Sequence, residues 1–146
     1  MIEKFPYYVQ NNLVRPGSPD MQEALSLIRK AVSRVAYVSG QKIDEAGASF
    51  VFEDVYEAIR EAAQALMTLQ GYKPYSHEAV IAFVRDHHKT TAADIAAFDR
   101  YRILRNKCIY KGATISATVC QEAAEFMKCF VPLLKRLFEE KSHLDI

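Results

Sequence analysis

The chain has almost no net charge, and it lacks a long apolar run. Its 19 lysines and arginines against 18 aspartates and glutamates give a formal charge of +1 over 146 residues. A case for binding nucleic acid or an anionic membrane must therefore rest on local clustering. No segment approaches the roughly 18 apolar residues that span a bilayer, and the first ten residues hold an acid and a proline where a signal peptide is apolar. We expect a protein that is neither exported nor embedded in a membrane.

Cysteines are few, and none lies in a C-x-x-C pair. The three, Cys108, Cys120 and Cys129, argue against a disulfide framework and a structural zinc site, and favour a reducing, cytoplasmic setting. The histidines form no H-E-x-x-H motif and no Cys/His cluster at ligand spacing. The common phosphate-binding loops and the G-x-S-x-G nucleophile motif are also missing. The residues thus give no reason to expect a metal or a cofactor.

Apolar residues recur at helical spacing through most of the chain, and no segment keeps the two-residue period of a strand. Half of the residues are hydrophobic and a quarter are charged, the balance of one globular domain of this length. We predict an all-α fold, a single up-and-down bundle of four to five helices over residues 19–146. Residues 1–18 hold two prolines and an Asn-Asn pair, and are predicted to form an irregular arm.

Capping residues mark the predicted helix ends. Asp20, Ser76 and Thr91 stand where a side-chain oxygen can accept a hydrogen bond from the first turn of a helix. Gly71 and Gly112 stand where two helices should end. The five predicted helices cover residues 18–38, 50–71, a short segment from 76 towards 85–90, 91 to about 110, and about 116–141. Inside the last helix, Pro132 is expected to cause a kink rather than a break.

The fourth predicted helix carries the one concentrated basic segment, FDRYRILRNKCIYKG, residues 98–112. Asp99, Arg102, Arg105 and Asn106 gather along one side because they lie three or four residues apart, and Asp99 can pair with Arg102. Two guanidinium groups one turn apart can grip a phosphate, and a neighbouring asparagine can bond to a base or a ribose. The alternative interpretation is an exposed charged helix with ordinary internal ion pairs.

Within this segment, YRILRNKCIYKG resembles the signature of the HEPN family, the higher eukaryotes and prokaryotes nucleotide-binding domains. Residues 55–86, VYEAIREAAQALMTLQGYKPYSHEAVIAFVRD, resemble the alanine-rich second helix of that family and its Ser-His turn into the third helix. The similarity covers roughly residues 20–140. It implies a helical module that forms a homodimer and binds a nucleotide, RNA or a nucleotidyltransferase partner protein.

The chain departs from the ribonucleases of that family at one position. Those members carry arginine, a polar residue and then histidine after four to six intervening positions, and two such helices build the cleavage site across a dimer. Arg105 and Asn106 match the first two residues, but Tyr110, Lys111 and Gly112 stand where histidine is needed. A histidine exchanges protons near neutral pH, whereas a tyrosine in water is a poor general base. Tyr110 can still donate a hydrogen bond or stack on a base.

Three hypotheses follow from these residues. The first is a HEPN-type module that binds nucleotide or RNA through Arg102, Arg105, Asn106 and Tyr110, or binds a nucleotidyltransferase partner, without cleaving RNA. The second is a metal-independent endoribonuclease of the toxin–antitoxin kind, in which Arg105, Asn106 and Tyr110 are the catalytic candidates. The third is a purely structural bundle. The missing histidine favours the first over the second, so enzymatic activity is not the preferred expectation.

Overall fold

The computed structural model describes residues 1–146 and contains six helices and two short strands, with 71% of the residues in helices. The all-α prediction is confirmed. None of the helices combines the length and the apolarity that crossing a bilayer requires. In chain order the elements are α1 Phe5–Gln10, β1 Val14–Pro16, α2 Met21–Ser39, α3 Ala48–Leu69, β2 Tyr72–Pro74, α4 His77–His87, α5 Ala92–Lys111 and α6 Ala117–Ser142.

The predicted capping residues cap their helices. Asp20, Ser76 and Thr91 each accept a hydrogen bond from the backbone amide three residues further on, at 3.0 to 3.4 Å. Gly71 and Gly112 follow the ends of α3 and α5 with φ angles of +89° and +65°, which glycine adopts without steric cost. These predictions are confirmed because capping depends on neighbours within one turn.

Helix α3 lies at the centre of the fold. Fifteen of its 22 residues are buried, and it contacts α2, α4, α5, α6 and β2. Phe98 of α5 lies between Tyr56 of α3 and Phe130 of α6, with ring centres 6.2 and 5.8 Å away. Helix α6 continues through Pro132 without a break. The core is therefore built around α3, with α5 and α6 in aromatic contact.

The predicted irregular arm, residues 1–18, contains a helix and a strand, so that prediction is corrected. The amide of Phe5 donates to the Oδ2 atom of Asp86 at 2.9 Å, and its ring lies 5.2 Å from that of Phe83. Arg85 donates to two carbonyls of the same segment at 3.1 and 2.8 Å. The contacts that order α1 thus join residues about 80 positions apart, which no local pattern reveals.

Strand β1 pairs with β2 in antiparallel register. Val14 lies opposite Pro74, Arg15 opposite Lys73 and Pro16 opposite Tyr72. The pairing joins the N-terminal segment to the connection between α3 and α4. It involves three residues on each strand, too few to produce a visible alternation in the sequence.

A buried ion pair joins α2 to α3. Glu61 is only 2% exposed, and its Oε1 atom accepts a hydrogen bond from Nε of Arg34 at 2.7 Å. Arg34 also contacts Asp54 at 3.3 Å, while Oε2 of Glu61 has no partner. The charge of Glu61 therefore depends on a single arginine.

Replacing Arg34 should destabilise the fold strongly. Arg34→Leu leaves the Glu61 carboxylate buried without a counter-charge, which should cost about 2–4 kcal/mol, less than the largest values because Arg34 is partly exposed. Urea unfolding measures the change. Arg34→Leu with Glu61→Leu should recover most of it, and Lys42→Leu, which removes an exposed pair with Asp44, should have little effect. An Arg34→Leu midpoint equal to that of the original chain would contradict this account.

Candidate functional site

The basic segment of the sequence forms the second half of α5. The α5 residues that reach the core, Ile95, Phe98 and Tyr101, lie in its first half. Every α5 residue after Tyr101 is half-buried or exposed. The predicted site residues therefore lie on a helix surface that borders α3 and α4 on one side and is open on the other.

Arg102 is engaged by two carboxylates. Its Nε atom donates to Asp99 at 2.8 Å, which confirms the predicted pair, and its Nη1 atom lies 3.4 Å from a carboxylate oxygen of Glu78 on α4. The Arg102 side chain is only 13% exposed. Its charge is therefore balanced, and its longer contact, with Glu78, joins α5 to α4.

Arg105 differs from Arg102 because it forms no ion pair. Its guanidinium carbon lies 5.9 Å from the centre of the Tyr56 ring on α3, and its one hydrogen bond, at 3.4 Å, is to Oδ1 of Asn106. An arginine on an aromatic face gains a cation–π attraction but no counter-charge. Half-buried and without a carboxylate, this guanidinium is equipped to bind an incoming anion.

Beneath Arg105, Tyr56 is bonded to a histidine. Tyr56 is 1% exposed, and its hydroxyl shares a hydrogen bond of 3.0 Å with Nδ1 of His77, the first residue of α4. The two ring planes are nearly parallel, at 4°. Burial raises the pKa of the Tyr56 hydroxyl, which therefore stays protonated at neutral pH.

His77 is held in its neutral form. Burial and the positive charges of Arg105 and Arg60 together lower its pKa from the usual 6.5 to about 4. The imidazole therefore carries no charge at neutral pH. It adds a polar group near Arg105 without adding a positive charge that would repel the arginines.

Arg60 completes the set of arginines around Tyr56 and His77. Arg60 pairs with Glu57 through two hydrogen bonds and also donates to Gln64. A cavity of about 170 Å³ opens between Arg60, Tyr75 and His77. We call Arg60, Arg102 and Arg105 the arginine cluster; only Arg105 in it lacks a carboxylate partner.

The other two predicted site residues lie in different surroundings. Asn106 is half-buried beside Arg105 and accepts its hydrogen bond. Tyr110 is 75% exposed, and its side chain makes no hydrogen bond or aromatic contact within the chain. The structure therefore brings Arg102, Arg105 and Asn106 together on the side facing α3 and α4, and leaves Tyr110 on open surface near the end of α5.

Tyr56, Arg60 and His77 are also parts of this site, although they were not predicted from the sequence. Tyr56 and Arg60 are one helical turn apart and could have been paired from spacing alone. His77 follows the capping Ser76 directly, and that turn was part of the family resemblance. Its contact with Tyr56 spans 21 residues, and no local pattern encodes it.

Comparison of the chain with models of protein families, with curated proteins and with solved structures gave no match. No group of three or more histidine, cysteine, aspartate or glutamate side chains is arranged to hold a metal ion. The chemistry available here is that of arginine, neutral histidine, tyrosine and asparagine.

The free energy of unfolding should fall as the pH drops from 6.5 towards about 4. Burial lowers the pKa of both His77 and His88 to about 4, so the unfolded chain binds these protons first and is stabilised relative to the folded chain. Urea unfolding at about pH 7.5 and about pH 5 measures the change. His77→Gln with His88→Gln should flatten this dependence. Stability that rises as the pH falls through this window would contradict the buried neutral state.

Proposed function

We propose that the chain is a HEPN-type helical module that binds the phosphate of a nucleotide or of RNA at Arg105, without cleaving RNA. The observation that supports this most is the half-buried guanidinium of Arg105, which lies on Tyr56 and has no carboxylate partner. Binding needs a cation that is partly desolvated and still free, and Arg105 has both properties.

The ion pairs of Arg60 and Arg102 explain why a phosphate would bind at Arg105 rather than at those two arginines. A phosphate that approached Arg60 or Arg102 would compete with carboxylates already in contact, at 3.1 Å for Glu57 and 2.8 Å for Asp99. At Arg105 it competes only with a long hydrogen bond to the amide of Asn106. Hydrogen bonds to charged groups contribute about 1.5–3 kcal/mol each, so the difference favours Arg105.

Asn106 and Tyr110 supply contacts for the rest of a nucleotide. The amide of Asn106 lies beside Arg105 and can bond to a base edge or a ribose hydroxyl once the phosphate replaces its bond to Arg105. The exposed ring of Tyr110 offers a surface on which an unpaired base can stack. In this proposal Arg102 acts by holding α5 against α4.

Substituting Arg105 should weaken phosphate binding more than substituting any other residue of the cluster. With uridine monophosphate and a short oligouridylate as probes, Arg105→Ala should lose about tenfold to a hundredfold in affinity, the loss of one charge-assisted contact. Affinity of the original chain for the oligouridylate should also fall as salt rises. Isothermal titration calorimetry measures both.

Arg136→Ala is the matched control, since Arg136 is exposed on α6 and forms no ion pair. It removes the same charge without touching the cluster. Binding that is unchanged in Arg105→Ala, or equally weakened in Arg136→Ala, would contradict the proposal. The charged surface of α5 would then be an ordinary solvent-exposed surface with no phosphate site.

We further propose that the second half of α5 forms a homodimer interface. Ile103 and Ile109 are both exposed there, beside the positive charge of Lys107. Exposed apolar side chains on a helix surface are typical of an interface between identical chains. A nucleotidyltransferase partner is the alternative occupant of the same surface.

Light scattering at micromolar concentration should give the mass of a dimer. Ile103→Glu with Ile109→Glu should give a folded monomer, because both side chains are already exposed and the core does not need them. Val32→Glu with Tyr37→Glu, on the exposed surface of α2, is the control and should stay dimeric. A monomeric mass for the original chain, unchanged on concentrating, would contradict the dimer.

Metal-independent cleavage of RNA is the second candidate function, and the position of His77 favours it. His77 lies beside Arg105 through Tyr56, so a proton acceptor and a phosphate ligand occur together, although not at Tyr110. Its pKa of about 4 makes it a weak base at neutral pH, and this is why binding is preferred.

The purified chain should therefore leave RNA intact in the presence of a chelator. Incubation of a labelled RNA with the original chain, Arg105→Ala, His77→Gln and Tyr110→Phe measures this. Robust cleavage that disappears in Arg105→Ala and in His77→Gln would make the ribonuclease the function. Cleavage that disappears in Tyr110→Phe would assign the catalytic part to Tyr110 instead.

A further inference from the structure

A second cavity, of about 270 Å³, lies between the β1–β2 pair, the start of α2 and the end of α3. Gly17 and Gly71 form part of its wall: the amide of Gly17 donates to the carbonyl of Gly71 at 2.7 Å. A Cβ atom on Gly71 would lie only 2.5 Å from the carbonyl oxygen of Gly17. The strands thus approach the end of α3 closely, and the polar residues beside this contact line the cavity.

Two cations of this cavity face each other across the strands. Arg15 and Lys73 occupy the same register position of the antiparallel pair, where like charges are unfavourable. Neither forms an ion pair, although Asp20 and Glu23 also line the cavity. The Asp20 carboxylate is already used as the cap of α2. An anion between the two cations would relieve their repulsion.

Thr68 lines this cavity with a hydroxyl that is not bonded to the rest of the chain. Thr68 is 8% exposed, it lines the cavity, and its side chain makes no hydrogen bond within the chain. Its carbonyl, by contrast, accepts from the amides of Asp20 and Gly71 at 3.2 Å each. This hydroxyl is open to solvent, so a ligand in the cavity can bond to it without displacing a partner in the protein.

We propose that this cavity binds a small hydroxylated oxyanion, a phosphate or carboxylate carried on a sugar-like molecule. Arg15 and Lys73 hold the oxyanion. Thr68 and Gln64 bond to the hydroxyls, and Glu23 accepts hydrogen bonds from them. Glu23 would repel an anion without hydroxyl groups, and a neutral sugar would leave Arg15 and Lys73 without a counter-charge. A lining with both positive and negative side chains therefore favours a ligand that carries an anionic group and hydroxyl groups. This site is separate from Arg105 and does not depend on the function proposed above.

Titration with three probes tests the site: ribose 5-phosphate, gluconate and ribose. Backbone amide NMR should show shifts in Arg15, Gly17, Ser18 and residues 71–73 with one or both oxyanions and none with ribose. The two oxyanion arms tell a phosphate ligand from a carboxylate ligand. Arg15→Gln with Lys73→Gln should weaken binding about tenfold or more, since two charged contacts are lost.

Thr68→Val keeps the volume of the side chain and removes the hydroxyl, so it should fold normally and bind several-fold more weakly. Lys135→Gln with Arg136→Gln on α6 removes two charges away from the cavity and should bind like the original chain. The proposal is overturned if neither oxyanion binds at about 10 mM, or if binding is the same in the Arg15/Lys73 variant. Equal shifts with ribose would also overturn it, because the cations would then have no part in recognition.

Discussion

The burial of most of helix α3 is the constraint on which the other features depend. On a helix with neighbours on most of its surface, a buried polar side chain depends on those neighbours for a partner. Glu61 obtains its counter-charge from Arg34 of α2, and Tyr56 obtains its hydrogen bond from His77 of α4. The polar residues of α3 therefore fix how α2 and α4 lie against it.

The candidate site is a consequence of that arrangement. Helix α5 reaches the core through its first half, which brings the start of its second half over the buried ring of Tyr56. Glu78 and Asp99 form ion pairs with Arg102, and Glu57 forms an ion pair with Arg60. All three carboxylates near the cluster thus pair with Arg60 or Arg102, and none pairs with Arg105. The guanidinium of Arg105 is the one without a counter-charge, and it is half-buried.

Much of the fold could be predicted from the sequence because much of it is local. Helix periodicity and the caps at Asp20, Ser76 and Thr91 depend on residues within one turn, and those predictions are confirmed. Helix α1 and the β1–β2 pair could not be predicted, since they depend on contacts such as that of Phe5 with Asp86. The site divides in the same way. The pair of Asp99 and Arg102 lies within one helix and was predicted, whereas the contact of His77 with Tyr56 joins two helices and was not.

The central claim is that Arg105 is the free cation of the arginine cluster, and the NMR signals of the arginine Nε–Hε groups test it most directly. Signals are assigned by their loss in Arg60→Lys, Arg102→Lys and Arg105→Lys, and uridine monophosphate is then added in steps. We predict that the Arg105 signal shifts first and furthest while those of Arg60 and Arg102 stay near their starting positions. A titration in which Arg102 or Arg60 shifts and Arg105 does not would contradict it.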